Sequence, residues 1–253
     1  MEAIGAIQSP RPDARAGVFE TILVFEDRPI ELEAHLRRLD RSLKAVYGQA
    51  PPEGLRDQVM ASCRGGWLGR LRLSIEPDRD GELHSSIVVA AFDPNNVFPT
   101  GPFATALRSF VVDRGLGAHK WVDREVLARA EASAGPGAAP LLVRADGEVL
   151  EGSRSNVFAV IERELITPPL DGEILPGVTR SGTIEVAAEL GFSLREGRLE
   201  LDRLREADEA FLTNALRGVE PVREIDGVEI VADGPITTAL AAGLRHRWFA
   251  TAP

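Results

Sequence analysis

The stretch ILPGVTRSGTIEVAAEL, residues 174–190, predicts a helix that begins just after Pro176 and ends at Gly191. Gly177 and Thr179 lie where this helix begins. The N–H groups of a first helical turn have no partner within the helix, and together with the helix dipole they form a site for a phosphate group. Taken alone, the segment leaves open a simpler alternative, in which Thr179 only caps the helix.

On either side of this helix the chain alternates strands and helices, which predicts an α+β fold. The predicted strands have β-branched or alternating apolar residues and lie at 18–32, 69–77, 84–92, 103–112, 140–169 and 209–213. The other predicted helices have apolar residues at helical spacing and lie at 34–48, 53–62, 121–134 and 235–249.

The pattern changes at DRGLGAHK, where glycines separate the two halves of the chain. We therefore predict a small N-terminal α+β domain at 1–112, an interdomain linker at 113–120 and a larger C-terminal domain at 121–253.

Composition narrows the class of protein. The net charge of −10 argues against a nucleic-acid binder, and no apolar run reaches the roughly 18 residues of a membrane span. A single cysteine excludes an internal disulfide framework, and the four histidines lack metal-ligand spacing, so we expect no metal. The opening 17 residues lack the pattern of a secretory signal. We expect a cytoplasmic protein that acts on a small molecule, without nucleic-acid or membrane partners.

The chain contains only two lysines, Lys44 and Lys120, among 29 basic residues. Arginine serves wherever a cation suffices, but its guanidinium stays protonated and cannot form a Schiff base. Lys120 follows small residues and precedes a predicted helix, where its side chain could enter a cleft. The alternative is a linker lysine exposed to solvent.

Two further charged residues are candidates for binding. In HLRRL, Arg38 could hold a phosphate in a bidentate fork, or it could be a surface arginine on an amphipathic helix. Glu151 ends an apolar strand and is followed by small residues, where a carboxylate could pair with a protonated ring nitrogen or could simply face water.

Seven short segments, taken in their order along the chain, resemble the class IV aminotransferase family of pyridoxal-phosphate enzymes. They are GVFET (17–21), HLRRL (35–39), HKWVDR (119–124), EGSRSNVF (151–158), TPPL (167–170), LPGVTR (175–180) and FLTNALRGVEPV (211–222). The resemblance implies the two-domain fold type IV architecture, with a small N-terminal α/β domain and a larger β-barrel-like domain. It also implies pyridoxal 5'-phosphate as cofactor and a homodimer as assembly.

The same resemblance implies roles for individual residues. Lys120 would carry the cofactor in a Schiff base and move protons, and Glu151 would keep the ring nitrogen protonated. Arg38 and the backbone N–H groups of Val178 and Thr179 would hold the phosphate. The turn at Asn214 and Ala215 would also contact the cofactor.

Two segments are closer to aminodeoxychorismate lyases than to aminotransferases. Lys120-Trp-Val-Asp-Arg124 is similar to the K-x-x-N-R pattern of the lyases, and Thr213-Asn214-Ala215-Leu216 is similar to their N-A-L. This resemblance implies a lyase that releases pyruvate and 4-aminobenzoate from 4-amino-4-deoxychorismate. Substrate would contact Phe19, Arg72, Thr213 and Asn214; Arg72 is the candidate for a carboxylate, or it pairs within the sheet.

The chain departs from the family before GVFET, where the opening strand and its G-D are reduced to Arg15-Ala16-Gly17. Substrate preference therefore stays open. The alternatives are a class IV transaminase for D-amino acids, branched-chain amino acids or chiral amines, and a cofactor-binding protein without catalysis.

Overall fold

The computed structural model describes residues 11–250. The outer ends of the two predicted domains, 1–10 and 251–253, lie outside these residues, and so does most of the segment on which the expectation about a secretory signal rests. Within the described part, the chain divides into two compact units. The smaller unit comprises Pro12–Val97 and His119–Arg124, and the larger unit comprises Phe98–Ala118 and Glu125–Ala250.

The smaller unit is an antiparallel sheet with two helices. Its strands have the order β2-β1-β3-β4 and are β1 (Val18–Phe25), β2 (Arg28–Pro29), β3 (Leu68–Pro77) and β4 (Leu83–Ala91). Its helices are α1 (Leu32–Tyr47) and α2 (Leu55–Ser62), and two 3-10 turns occur at Ala14–Ala16 and Pro94–Asn96.

The core of the smaller unit follows from the period of each element. Along β3, Leu71, Leu73 and Ile75 are buried on one face, which leaves Arg70 and Arg72 together on the other face as predicted. Leu39 and Leu43 of α1, one turn apart, belong to the same buried cluster.

The larger unit is a nine-stranded mixed sheet with four helices. Eight strands form the path β10-β9-β8-β11-β12-β5-β6-β7, and β13 pairs with β12. The strands are β5 (Thr105–Val112), β6 (Ala138–Arg144), β7 (Val149–Gly152), β8 (Asn156–Ile161), β9 (Glu164–Thr167), β10 (Leu194–Glu196), β11 (Glu209–Asn214), β12 (Gly218–Ile225) and β13 (Val228–Glu229). The helices are α3 (Glu125–Ala134), α4 (Val178–Glu189), α5 (Leu201–Arg205) and α6 (Pro235–Phe249), with a 3-10 turn at Gly101–Phe103.

The predicted α+β class is confirmed, but the division of the chain differs from the predicted boundary in two places. Strand β5 pairs in parallel with β6 and β12, so it belongs to the larger unit rather than to the end of the first domain. The helix expected from Trp121 begins only at Glu125. Trp121 instead forms a bridge with Val18, which joins residues 119–124 to the smaller unit.

Two kinds of feature are absent from residues 11–250. No helix between residues 11 and 250 combines the length and the apolar composition needed to span a bilayer. In the same part of the chain, no group of three or more His, Cys, Asp or Glu side chains is arranged to hold a metal ion.

Helix α6 is fixed to the sheet by the buried carboxylate of Glu209, which accepts from Ile236 N at 3.1 Å and Thr237 N at 2.7 Å. We expect Glu209→Ala to lower the free energy of unfolding by about 1–3 kcal/mol, because two buried N–H groups lose their acceptor. Urea denaturation measures this loss. Glu206→Ala, an exposed change on the same segment, is the control, and an equal effect of both variants would contradict the prediction.

Candidate active site

Lys120 lies on a short segment whose backbone is bonded to β1. Phe19 N donates to Lys120 O at 2.8 Å, and Val122 N donates to Gly17 O at 3.0 Å. Gly17 has a φ of 97°, and a Cβ at this position would lie 2.4 Å from Ile75 O. The positive φ and the close approach of Gly17 to the backbone of β3 therefore require glycine at this position.

The two lysines of the chain differ in their surroundings. Lys44 is 62% exposed and pairs with Asp40 on the surface of α1 at 2.8 Å. Lys120 is half-buried, and its Nζ lies 4.9 Å from the centroid of the Phe19 ring. Lys120 is therefore not the solvent-exposed linker lysine of the alternative prediction. Lys44, in contrast, is an exposed lysine on a helix.

Phe19 is surrounded by positive charge. Besides Lys120, the guanidinium carbon of Arg72 lies 3.8 Å from the ring centroid and that of Arg124 lies 6.0 Å away. Arg72 Nε donates to the hydroxyl of Ser74 at 3.3 Å, and no described carboxylate lies within ion-pair distance of Arg72. Within the sheet, Arg72 therefore pairs with Ser74 rather than with an acid among the described residues, and its contact with a substrate carboxylate stays a prediction. Burial, with a smaller contribution from Arg70, lowers the pKa of Arg72.

A second cluster of the smaller unit is buried between β1 and α1. Arg38 donates two hydrogen bonds to Glu20, from Nε to Oε1 at 2.8 Å and from Nη2 to Oε2 at 2.6 Å. His35 Nδ1 lies 2.7 Å from the same Oε2. Burial alone would raise the pKa of Glu20, but Arg38 and His35 outweigh it and lower the pKa to about 2. Burial lowers the pKa of His35, which is therefore neutral at pH 7.

This pairing changes what Arg38 can offer to a ligand. The predicted alternative of an exposed surface arginine is wrong, since Arg38 is buried. However, its guanidinium donates through Nε and Nη2 to Glu20, so these two donors are already in use. The sequence analysis missed Glu20, although its position between core residues Val18 and Ile22 on the same face of β1 was a usable signal.

In the larger unit, Glu151 is buried at the end of β7 and does not face water. Its Oε2 accepts from Leu175 N at 3.2 Å and from Asn156 Nδ2 at 3.3 Å. Asn156 Nδ2 also donates to Leu175 O at 2.9 Å. Glu151, Asn156 and the LPG segment before α4 therefore belong to one hydrogen-bonded group. Asn156 was not among the residues predicted from the sequence.

Helix α4 begins as predicted from the LPG segment, at Val178, with Gly177 as N-cap residue. Gly177 has no side chain to cap the helix, and Thr179 is buried inside the first turn, so the alternative in which Thr179 is the cap is wrong. A Cβ at position 177 would lie 2.0 Å from Asn156 Oδ1. The first-turn N–H groups thus begin at a glycine that packs directly on Asn156.

The predicted binding residues Thr213, Asn214 and Ala215 lie next to one another at the end of β11 and in the turn that follows it. The Thr213 hydroxyl is buried and has no hydrogen-bond partner among the described residues. Asn214 Oδ1 accepts from Leu216 N at 3.0 Å and Arg217 N at 2.9 Å, which shapes the turn that contains Ala215. Because its oxygen is used in the turn, Asn214 could offer a ligand only its Nδ2 or its backbone.

The Glu20 cluster predicts how stability depends on pH. Glu20 has a folded pKa of about 2 against an ordinary value of 4.5, so its stabilisation is complete above pH 4.5 and is lost as the pH falls toward 2. His35, buried as the neutral form, adds a loss that begins as the pH falls below 6.5. Glu20→Gln should remove the first component and, by taking the negative charge away from the buried guanidinium of Arg38, should cost about 3–5 kcal/mol at pH 7.

Denaturation of wild type, Glu20→Gln and His35→Gln between pH 7 and pH 3 separates the two components. Glu33→Gln, which alters an exposed pair on the same helix, is the control. A Glu20→Gln variant with the pH dependence of wild type would contradict the prediction.

Known proteins of similar sequence or structure identify the family of this chain. A family model for amino-transferase class IV matches residues 17–225. The chain is 32% identical over 247 residues to aminodeoxychorismate lyase of Bacillus subtilis, covering 88% of this chain and 83% of that protein. It is 43% identical over 102 residues to a probable branched-chain-amino-acid aminotransferase of Thermotoga maritima, covering 40% and 37% of the two chains. A hypothetical aminotransferase of Mycobacterium tuberculosis, solved in a PLP-bound form, has a TM-score of 0.81 at 22% identity, covering 99% and 96%. The chain therefore belongs to the class IV aminotransferase family and is a pyridoxal-phosphate-dependent enzyme.

Proposed function

We propose that this enzyme is a 4-amino-4-deoxychorismate lyase, which releases pyruvate and 4-aminobenzoate. The observation that carries the proposal is Arg72, a half-buried cation stacked on Phe19, whose ring also lies 4.9 Å from Nζ of Lys120; no carboxylate among the described residues pairs with Arg72. A partly desolvated cation that shares an aromatic ring with the proposed reactive amine is best satisfied by an anionic substrate. Similarity to the Bacillus lyase extends over 88% of the chain and so favours 4-amino-4-deoxychorismate over other anionic substrates.

Residues of the larger unit fit two of the groups that pyridoxal phosphate presents. A phosphate suits the α4 start, where Gly177 provides no side-chain cap, and the hydroxyl of Thr213 is buried without a partner. A pyridine N–H suits a buried carboxylate, which Glu151 supplies. We therefore assign the N–H groups of Val178 and Thr179 to the phosphate and Glu151 to the ring nitrogen.

Three other assignments are part of the proposal. Arg38 would contribute its positive charge to the phosphate site while it holds Glu20 through Nε and Nη2. Asn214 and Ala215 would contact the cofactor through their turn. When bound, the cofactor supplies an electron sink that stabilises the carbanion left when a proton is removed from the substrate.

Lys120 would act as the base of the reaction. Its Nζ would take the proton from C4, and the C3–O bond would then break to release the enol form of pyruvate, which gains a proton as it becomes pyruvate. Loss of both groups makes the ring aromatic, which drives the step toward 4-aminobenzoate. Arg72 would bind a substrate carboxylate, and Phe19, Thr213 and Asn214 would contact the rest of the substrate.

A second candidate function is amino transfer to or from a D-amino acid, a branched-chain amino acid or a chiral amine. The higher local identity to a branched-chain-amino-acid aminotransferase, over 40% of the chain, favours it. We also expect a homodimer, as is implied for this family; analytical ultracentrifugation of the holoenzyme measures the mass, and a monomer at micromolar concentration would contradict it.

The purified holoenzyme should convert 4-amino-4-deoxychorismate to 4-aminobenzoate, detected by its fluorescence. Lys120→Ala should lower kcat by roughly 100- to 10,000-fold or more, since the proton-transfer group is lost. Lys44→Ala is the matched control, because it removes the other lysine of the chain. Turnover of D-alanine or a branched-chain amino acid without any 4-aminobenzoate would retire the lyase proposal.

Arg72→Gln should raise KM for the same substrate by roughly 10- to 100-fold, because a charge-assisted contact to a carboxylate is lost. Arg72→Lys should recover part of the affinity, since it keeps the charge but loses the planar fork. Arg70→Gln changes the neighbouring arginine on the same face of β3 and should leave KM close to wild type. Equal effects at positions 70 and 72 would show that only overall charge matters.

A further inference from the structure

We infer that Asn156 is a positioning residue that holds Glu151 in its ionised form and joins it to the start of α4. The inference rests on the proposed roles of Glu151 and of the α4 N-terminus. Asn156 carries no charge and has no proposed contact with substrate or cofactor. Its contacts described below all lie within the larger unit.

Asn156 contacts three parts of the candidate site at once. Its Nδ2 donates to Glu151 Oε2 at 3.3 Å and to Leu175 O at 2.9 Å, and Leu175 N donates back to Glu151 Oε2 at 3.2 Å. These bonds close a ring through Glu151, Asn156 and Leu175. The side-chain oxygen of Asn156 packs against Gly177, the N-cap residue of α4.

The orientation of the Asn156 amide is determined by its partners. Both Glu151 Oε2 and Leu175 O are acceptors, so only the NH2 group can satisfy them, and it has one N–H for each. The reversed orientation would bring three oxygen atoms together in a buried place, since Asn156 is only 3% exposed. The amide is therefore held in a single orientation.

This arrangement has an electrostatic consequence. Two N–H donors on one carboxylate oxygen favour the charged form of Glu151, which compensates for the water lost on burial. With Glu151 kept ionised, a shared proton remains on the ring nitrogen rather than on the carboxylate, and this is the state that makes the ring a strong electron acceptor.

The arrangement also couples the two ends of the cofactor site. Asn156 is the first residue of β8 and lies opposite Thr213 in β11, whose hydroxyl lacks a partner among the described residues. Through Leu175 and Gly177 the same side chain supports the segment that leads into α4. A change at position 156 should therefore weaken cofactor binding as well as ring protonation.

The test uses holoenzyme reconstituted with pyridoxal phosphate labelled with ¹⁵N in the ring, and compares wild type, Asn156→Ala, Asn156→Leu and Glu151→Gln. The ¹⁵N chemical shift reports ring protonation, and titration of apoprotein reports the Kd of the cofactor. Wild type should have a protonated ring and Glu151→Gln an unprotonated one. Both Asn156 variants should move toward the unprotonated shift and raise Kd by roughly 10-fold or more, as expected for loss of a hydrogen bond to a charged group.

Asn156→Leu removes the same donor without adding a charge. It is also nearly isosteric, so it retains the packing on Gly177 if Asn156→Ala does not fold. Asn95→Leu, the same change at an exposed position, is the control. A protonated ring with wild-type Kd in both Asn156 variants would overturn the inference, and a protonated ring in Glu151→Gln would overturn the proposed role of Glu151 itself.

Discussion

Burial of carboxylates is the constraint on which much of this structure depends, because a buried carboxylate needs donors in place of lost water. Among the described residues, four strand glutamates are buried: Glu20, Glu151, Glu209 and Glu220. For the first three, the donors come from other elements, namely α1, the LPG segment with β8, and α6. Glu220 differs, because burial raises its pKa despite Arg217 at 2.9 Å. The acids therefore fix helices and loops to the sheets at defined points.

The elements with a strong local signal were predictable. Helix α6 was expected at 235–249 and lies there, and α1 ends at Gly48 in a left-handed conformation that glycine adopts readily. The pairing of β5 was not predictable, because a run such as TALRSFVV fits an antiparallel or a parallel neighbour equally well. The start of α3 was missed because Trp121 bonds to a strand about a hundred residues earlier, which helical spacing cannot reveal.

The candidate site shows the same limit. Charged or unusual residues such as Lys120, Glu151 and Arg72 stand out in a sequence because each type suggests its chemistry. The partners that determine how such a residue behaves do not stand out. Glu20 redirects one edge of Arg38, and Asn156 holds Glu151, yet both contacts depend on which strand lies beside which helix or loop. The role of a charged residue can therefore be guessed from sequence, but its protonation and orientation cannot.

The choice between elimination and amino transfer depends on residues other than those that fit the cofactor. A buried carboxylate and an uncapped helix start serve pyridoxal phosphate in either reaction, so Glu151 and α4 cannot distinguish them. An aminotransferase must accept an amino donor and a keto acceptor in turn at one place, whereas a lyase needs to fit one substrate whose bond breaks. Arg72 stacks on Phe19, and the same ring lies 4.9 Å from Nζ of Lys120, so under the proposed roles the acid that Arg72 prefers would set the reaction. Under these roles, the two reactions are distinguished by cations of the smaller unit rather than by Glu151 or α4.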